Sequence, residues 1–467
     1  MTTSARKPIL IFVALALVLA ACAPAATPEP TPAPTQPPAP TAAPTKPPQP
    51  TATPAPTAAP AGLTCARPIK VGLIGDYTGP LAIYGVMQLR SFMLGLEYAA
   101  GAPGSVGKVY KLEDGANTFK VEDCEITVVV RDDKGDPAVT ATVARELIDV
   151  EKVDVLIGSV SSPTTATLQG LARDNQKVLI VAPAAANDIT GANFNRYTFR
   201  VSRNNYQDFI NLCAYLTTRY KKFVQIAPDT NFGRGGAQSA RDACTKFGGE
   251  FVADDIFAPI ETTEFTPYME QILASGAEAW IVTWAGGGFV PMFKAAQEVG
   301  VTEEMALGAS LANNATIPVF YSTLVGQNSG ILYHYTLPKN KINDWLIAEL
   351  KARYNTVPDL FDADGMNAAL ALVAGLRKSG GDAGAEALIK ALEGLEFDGP
   401  KGVVRIRPED HVAIQDMYIV KILNVNDPEA KFFELVETTR PEPPCLLPEA
   451  EKARCGSLPY GSLSGTP

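Results

Sequence analysis

From residue 63 onward, short apolar runs rich in β-branched residues alternate with longer stretches whose apolar positions recur every three or four residues. The runs predict buried strands and the longer stretches amphipathic helices. Ile69–Gly75 leads through Thr78-Gly79-Pro80 into a helical stretch from about Ile83 to Ala100. Ile126–Val130 leads to Asp132-Asp133-Lys134-Gly135-Asp136-Pro137, where Asp136 can cap a helix whose first turn holds Pro137. Val153–Ile157, then Ser162-Pro163, then Val178–Val181 repeat the scheme, which predicts a parallel sheet with helices on both faces. Phe223–Ala227, Glu250–Ile256, Ala279–Trp284 and Met305–Gly308 form a second series, so the expectation is α/β with two doubly wound parallel-sheet lobes. Tyr197–Val201 and Gly330–Tyr335 are strand-like but lack flanking helix signals, and read as crossovers between lobes. Gly402–Ile406 and Asp416–Leu423, separated by a short polar loop, read as a hairpin.

The pattern is different before residue 63. Arg6 and Lys7 precede an unbroken apolar run, Ile9–Ala21, shorter than the roughly 20 residues of a membrane-spanning helix but suited to a signal-peptide core. It ends in Leu19-Ala20-Ala21-Cys22, which resembles the lipobox of bacterial lipoproteins. That resemblance implies cleavage before Cys22, diacylation of its thiol and export to the outer face of the cell membrane, with the lipid as membrane anchor. From Ala23 to Gly62 the chain is almost entirely Pro, Thr and Ala, and 15 of its 38 prolines fall between Pro24 and Pro60. Such a stretch cannot form a core, and at about 3.1 Å per residue it predicts an extended stalk on the order of 100 Å long.

Composition narrows the function. A chain of 467 residues, 46% of them hydrophobic, can bury at least two cores. A net charge of −10 disfavours nucleic acid as a partner, since phosphate selects for a basic face. After Cys22 six cysteines remain, and an even number in an exported chain favours disulfides, with fifteen pairings formally possible. Topology favours three of them. Cys65 and Cys124 each precede a strand at the same end of neighbouring parallel strands, Cys213 and Cys244 fall on helices flanking Phe223–Ala227, and Cys445 and Cys455 close a tail loop. No paired Cys-x-x-Cys spacing is present and only His334 and His411 could assist, so no metal is expected.

A run of motifs then resembles a known family. Ile69–Gly75 is followed by Tyr77-Thr78-Gly79-Pro80 and Tyr84-Gly85, then Asp132-Asp133 with Asp136-Pro137, Ile157-Gly158-Ser159-Val160-Ser161-Ser162 and Ala182-Pro183-Ala184-Ala185. Gly399-Pro400 with Gly402 and Arg407-Pro408-Glu409-Asp410-His411 follow. In order and spacing, over roughly Pro68 to Thr438, these resemble the type I periplasmic-binding-protein family, in the branch similar to leucine/isoleucine/valine-binding receptors of ABC importers. The resemblance implies two lobes joined by three crossovers, the third near Phe397–Pro400, that close over a small solute. It gives a signal peptide at 1–21, the lipidated Cys22 and stalk at 22–62, a first lobe at 63–201 and 333–397, a second at 202–332 and 398–440, and a tail at 441–467. It also implies a monomer working with permease and ATPase subunits, without a cofactor.

Loops at the carboxyl ends of strands form the cleft in such folds. Ser161 and Ser162 sit where a helix N-terminus can receive a carboxylate, with Ser162 expected as the cap. The resemblance implies backbone contacts at Ala184 and Ala186, and Tyr84, Tyr206, Phe232 and Trp284, by their places in strand-end loops or the first crossover, are expected to converge as apolar walls. Asp229 reads as a turn residue. Amino-acid receptors of this kind carry a threonine where this chain has Ala186 and an acid where it has Ser310, the acid neutralising the ligand's ammonium. A zwitterion is therefore disfavoured unless another acid, such as Asp364, takes that part, and amides, urea-like molecules or carboxylates without an amine become alternatives. Catalysis lacks a Gly-x-Ser-x-Gly elbow, a phosphate loop or His-Glu-x-x-His to rest on, so an enzyme is not expected. A sensory ectodomain that signals through a partner is the alternative function, and a structural surface protein a third.

Overall fold

The computed structural model describes residues 62–101 and 108–465. The expected signal peptide, Cys22 and the stalk up to residue 61 lie outside the described residues.

β1 (Ile69–Gly75), buried at every position but Lys70, lies inside a six-stranded sheet of order β2-β3-β1-β4-β5-β6. Its partners are β2 (Ala116–Val121), β3 (Cys124–Asp132), β4 (Val155–Ile157), β5 (Val178–Val181) and β6 (Thr198–Arg200). All pairs are parallel except β2, which folds back on β3 and alternates exposed with buried positions, as an edge strand with one wet face does. Tyr197–Val201 is thus corrected from a bare crossover to the last strand of this sheet. Its far side is covered by residue 411, whose carbonyl accepts from Arg200 N at 3.0 Å while the His411 ring stacks on Phe199 at 3.9 Å.

The helices α1 (Ala82–Ala99), α2 (Pro137–Arg145) and α3 (Ser162–Asp174) follow β1, β3 and β4. Asp136 caps α2 by accepting from Ala138 N and Val139 N. α1 is buried nearly all round because the helix Asp362–Lys378 lies against it: a Cβ on Gly95 would stand 2.7 Å from the Ala369 Cβ. Arg90 clamps the two helices with a bidentate pair to Asp362 at 2.7 and 2.5 Å.

The second lobe is built on β7 (Lys222–Pro228), β8 (Glu250–Phe251), β9 (Ile256–Ala258), β10 (Ala279–Val282) and β11 (Ala306–Gly308), all parallel, with α4 (Asn205–Leu216) and α5 (Asn231–Lys246) beside it. The single strand expected over Glu250–Ile256 is instead two short ones, both paired to β7. Between them Asp255 accepts from the buried Gln225 Nε2 at 2.6 Å and pairs with Arg241, which holds the chain out of the ladder.

β12 (Asn328–Ile331), β13 (Glu396–Gly399), β14 (Gly402–Ile406), β15 (Ala413–Ile414), β16 (Met417–Ile422) and β17 (Phe433–Thr439) complete the strands among the described residues. The expected hairpin between Gly402–Ile406 and Asp416–Leu423 is not formed: β14 pairs with β13 and β15, while β16 pairs with β12 and β17. Gly399-Pro400-Lys401-Gly402 makes a tighter turn back onto β13, with Gly402 at φ +102°. Val404, Ile406 and Ala413 pack in the same core as Phe397 of the first lobe, whereas the sequence placed 398–440 in the second; Met417 packs in the second core.

The disulfides are Cys65–Cys124, Cys213–Cys244 and Cys445–Cys455, the three that topology favours. The tail they end in bridges the two lobes. Pro443 O accepts from Arg407 at 2.9 Å, Pro441 O from Gln207 at 3.3 Å, and Leu463 N donates to Asp242 of α5 at 2.7 Å.

Cys65–Cys124 closes a sequence separation of 59 residues. Replacing both cysteines by serine should cost about 4 kcal/mol of unfolding free energy on the chain-entropy model, measurable by urea titration. A second prediction concerns His334, buried among Tyr335, Phe432 and Phe433, where loss of hydration holds its imidazole down to about pKa 4. Its neutral form is fully stabilising above pH 6.5, and the contribution is lost as pH falls from 6.5 to 4, because only the unfolded chain takes up the proton there. His334→Asn should therefore lose roughly 2–3 kcal/mol less than the native chain between these pH values in urea titrations.

Candidate functional site

The carboxyl ends of the strands of both sheets face one cavity of about 280 Å³. The first lobe contributes Asp76, Pro80, Leu81 and Tyr84 after β1, Gly135 after β3, Val160 to Pro163 after β4, and Pro183 to Ala185 after β5. The second contributes Thr230 and Phe232 after β7, Ile260 and Glu261 after β9, Ala285, Gly287 and Gly288 after β10, and Leu311 after β11. Arg203, on the crossover after β6, and Phe361, just before the helix Asp362–Lys378, complete it.

Ser161, not Ser162, is the cap of α3: its backbone is extended at φ −80°, ψ 141° and its hydroxyl accepts from Thr164 N. That corrects the expected cap by one residue. Ser162 opens the helix, and its Oγ accepts from Ala186 N at 3.2 Å, which frees its own O–H to donate. Both serines line the cavity, as do Tyr84, Ala184 and Phe232.

Four expected residues are not brought into the lining, and each is corrected for a separate reason. Ala186 is locked behind the loop: its N–H goes to Ser162 and its carbonyl accepts from Arg200 Nη2 at 2.6 Å. Ala185 lines the cavity in its place. Tyr206 is on α4, buried, with its phenol beside Asp242; burial drives that phenol well above its ordinary pKa. Trp284 fills the second lobe's core, edge-on to Phe265 at 5.2 Å, where a Cβ on Gly288 would meet its indole nitrogen at 2.2 Å. Ser310 is buried at a bend just after β11 and is absent from the lining, to which its neighbour Leu311 belongs. Asp229 pairs with Arg234 at 2.6 Å outside the lining, consistent with a turn role. Asp364 is fully buried facing Lys401, Arg203 and Asp208, and burial raises its carboxyl to about 6.

The β5 loop is held by buried Arg200, whose guanidinium donates to Ala184 O at 3.0 Å, Ala186 O at 2.6 Å and Thr190 Oγ1 at 3.0 Å. The carbonyls that could have met a ligand are thereby occupied, and the expected backbone contact shifts to N–H groups. Those of Ala184 and Ala185 make no hydrogen bond among the described residues. Asp76 accepts from Gly79 N at 2.6 Å and Leu81 N at 2.8 Å, so its carboxylate fixes the turn that opens α1. Burial raises its pKa.

Sequence reasoning missed Arg203 and Phe361. The signal for Arg203 was its place between a strand and the capping box of Asn204 and Gln207, which share reciprocal bonds at 3.0 and 2.9 Å. The lobes touch around the cavity. Gly286 N donates to the Tyr84 hydroxyl at 3.4 Å, and Asn187 Nδ2 donates to Gly235 O at 3.0 Å and Ser239 Oγ at 2.8 Å on α5.

Comparison with known proteins gives this geometry a relationship. The family model for periplasmic binding proteins matches residues 68–427. A protein of Brucella abortus named Leu/Ile/Val-binding protein homolog 6 is 26% identical over 384 residues, covering 79% of this chain and 90% of its own length. The structure of an ABC-type branched-chain amino acid transporter protein from Rhodopseudomonas palustris is 32% identical with a TM-score of 0.64, over 80% of this chain and 96% of its own. A solute-binding protein from R. palustris in complex with 4-hydroxybenzoate shares the fold at 23% identity and a TM-score of 0.68, over 81% of this chain and 98% of its own. The two parallel-sheet lobes around the cavity thus follow a known architecture, and the chain belongs to the periplasmic binding protein family, with the type I fold.

Proposed function

We propose that this protein captures a small polar solute, an amino acid, amide or organic acid, between its lobes and delivers it to the permease and ATPase subunits of an ABC importer. The observation that carries the reading is the cavity itself: loops from both lobes line it, and all but the one holding Phe361 enter at the carboxyl ends of strands. The names of the relatives support it, since each is a binding protein or an ABC transporter component. The family is one of solute-binding proteins rather than enzymes. Recognition is therefore read as reversible burial, in which one lobe receives the solute and the other closes on it by a hinge motion.

Closure has identifiable contacts. Asn187, on the β5 loop of the first lobe, reaches α5 of the second through the two bonds given above, and Asn231 Nδ2 reaches Asp188 at 3.1 Å. These bonds exist when the lobes meet and would be lost on opening. In the proposed reading the lipid on Cys22 holds the receptor at the outer face of the cell membrane as a monomer, and the stalk spaces it from that surface. No helix among the described residues is long and apolar enough to cross a membrane.

Two measurements follow. Small-angle scattering should show compaction when a solute from a panel of amino acids, amides and organic acids binds, together with a rise in unfolding temperature; neither change with any member would remove the capture reading. Asn187→Ala should weaken that solute's affinity about 3- to 10-fold, roughly the worth of one or two net hydrogen bonds, with the number of solute molecules bound unchanged in calorimetry.

A further inference from the structure

Among the described residues, Arg203 is the one cation that lines the cavity. Its backbone is fixed between the end of β6 and the capping box of α4, and its side chain is 1% exposed. Nη1 donates to Pro183 O at 2.7 Å, Nε stands 3.3 Å from Asp208 Oδ1, and the guanidinium carbon lies 5.0 Å from the centre of the Phe361 ring. Nη2 makes no hydrogen bond among the described residues. A guanidinium is planar, permanently charged and offers five donors in a fixed fork, so a buried one with an unused edge favours an acceptor that carries charge.

The surroundings agree in sign. The unpartnered N–H groups of Ala184 and Ala185, the free hydroxyl donor of Ser162 and the N-terminus of α3 line the same cavity, and all are donors. Acceptors for a cation are committed elsewhere. Both Asp76 oxygens hold backbone N–H groups, with Gly135 closed over Oδ2, and Glu261 is exposed at the rim. An ammonium buried here without a carboxylate partner would cost several kcal/mol.

We infer, on the reading that this cavity is the solute site, that Arg203 is its specificity-determining residue and receives the carboxylate of a solute that has no α-ammonium. Such a solute would place its carboxylate on the Nη2 edge and its apolar body against Tyr84, Phe232 and Phe361. Asp208 and Pro183 act behind it, holding the fork in place.

The test is titration calorimetry of the full chain with two matched triplets: 3-phenylpropanoate, its amide and phenylalanine; and 4-methylpentanoate, its amide and leucine. The inference expects each acid to bind at least 10-fold more tightly than its amide and its amino acid. Arg203→Gln should weaken the acid roughly 10- to 100-fold and abolish its advantage over the amide, while Arg203→Lys retains part of it. The comparison within the native chain needs no variant to fold. An amide or amino acid bound as tightly as its acid overturns the role of Arg203 while leaving solute capture intact, and so does an Arg203→Gln chain that keeps the acid preference. Binding of neither triplet also overturns it. The capture reading falls separately, when no solute of the wider panel compacts the protein.

Discussion

The site depends on one buried guanidinium, that of Arg200. It carries the last strand of the first sheet into the crossover and, from there, collects the carbonyls of Ala184 and Ala186 and the hydroxyl of Thr190. Burial lowers its pKa to about 9, a measure of how much hydration was given up, yet it remains a cation at neutral pH and every bond it makes is charge-assisted. Without it the β5 loop would lose three charge-assisted bonds, leaving Ala184 O only the long contact from Ser202 Oγ at 3.5 Å and Ala186 O only that from Ile189 N at 3.4 Å. With it, Pro183 O is placed for Arg203 and Ala186 N for Ser162, so both the charged and the hydroxyl donors of the cleft inherit their positions from the same residue.

Around that residue the chemistry is divided by lobe. Most charged and hydrogen-bonding groups come from the first lobe and the first crossover, whereas the second lobe offers mainly Phe232, Ile260, Leu311 and small residues at 285, 287 and 288, with Thr230 and the exposed Glu261 as its polar side chains in the lining. The polar half is held by short bonds within the first lobe, and the second lobe brings apolar surface to it. This division suits the proposed capture, in which a head group is recognised before water is excluded.

Most of the architecture was legible because buried parallel strands write themselves as unbroken β-branched runs: β1 has the bounds expected for it, and the three disulfides followed from strand and helix order. The errors share a cause. Gly402–Ile406 and Asp416–Leu423 are near in sequence, but the Gly399–Gly402 turn offers the first of them a closer partner. Trp284 and Ser310 are near strand ends, yet which side of the chain faces the cleft depends on the neighbouring layer, and sequence position does not report that. Arg203 was hidden for the same reason that Thr198–Arg200 was misread. Because the strand-like run was read as a crossover outside the sheet, the residues after it were not counted as a strand end, and apart from the capping box that follows, a lone arginine in a polar stretch carries no sign of burial.

The disulfides have a mechanical consequence. Cys65–Cys124 lies within the first core, Cys213–Cys244 within the second, and Cys445–Cys455 within the tail, so no disulfide among the described residues ties one lobe to the other. The disulfides cross-link each part internally and leave the joint between the lobes to the backbone crossovers and to hydrogen bonds, which can break and reform. The cross-links thus harden the jaws without welding the hinge on which the proposed closure turns.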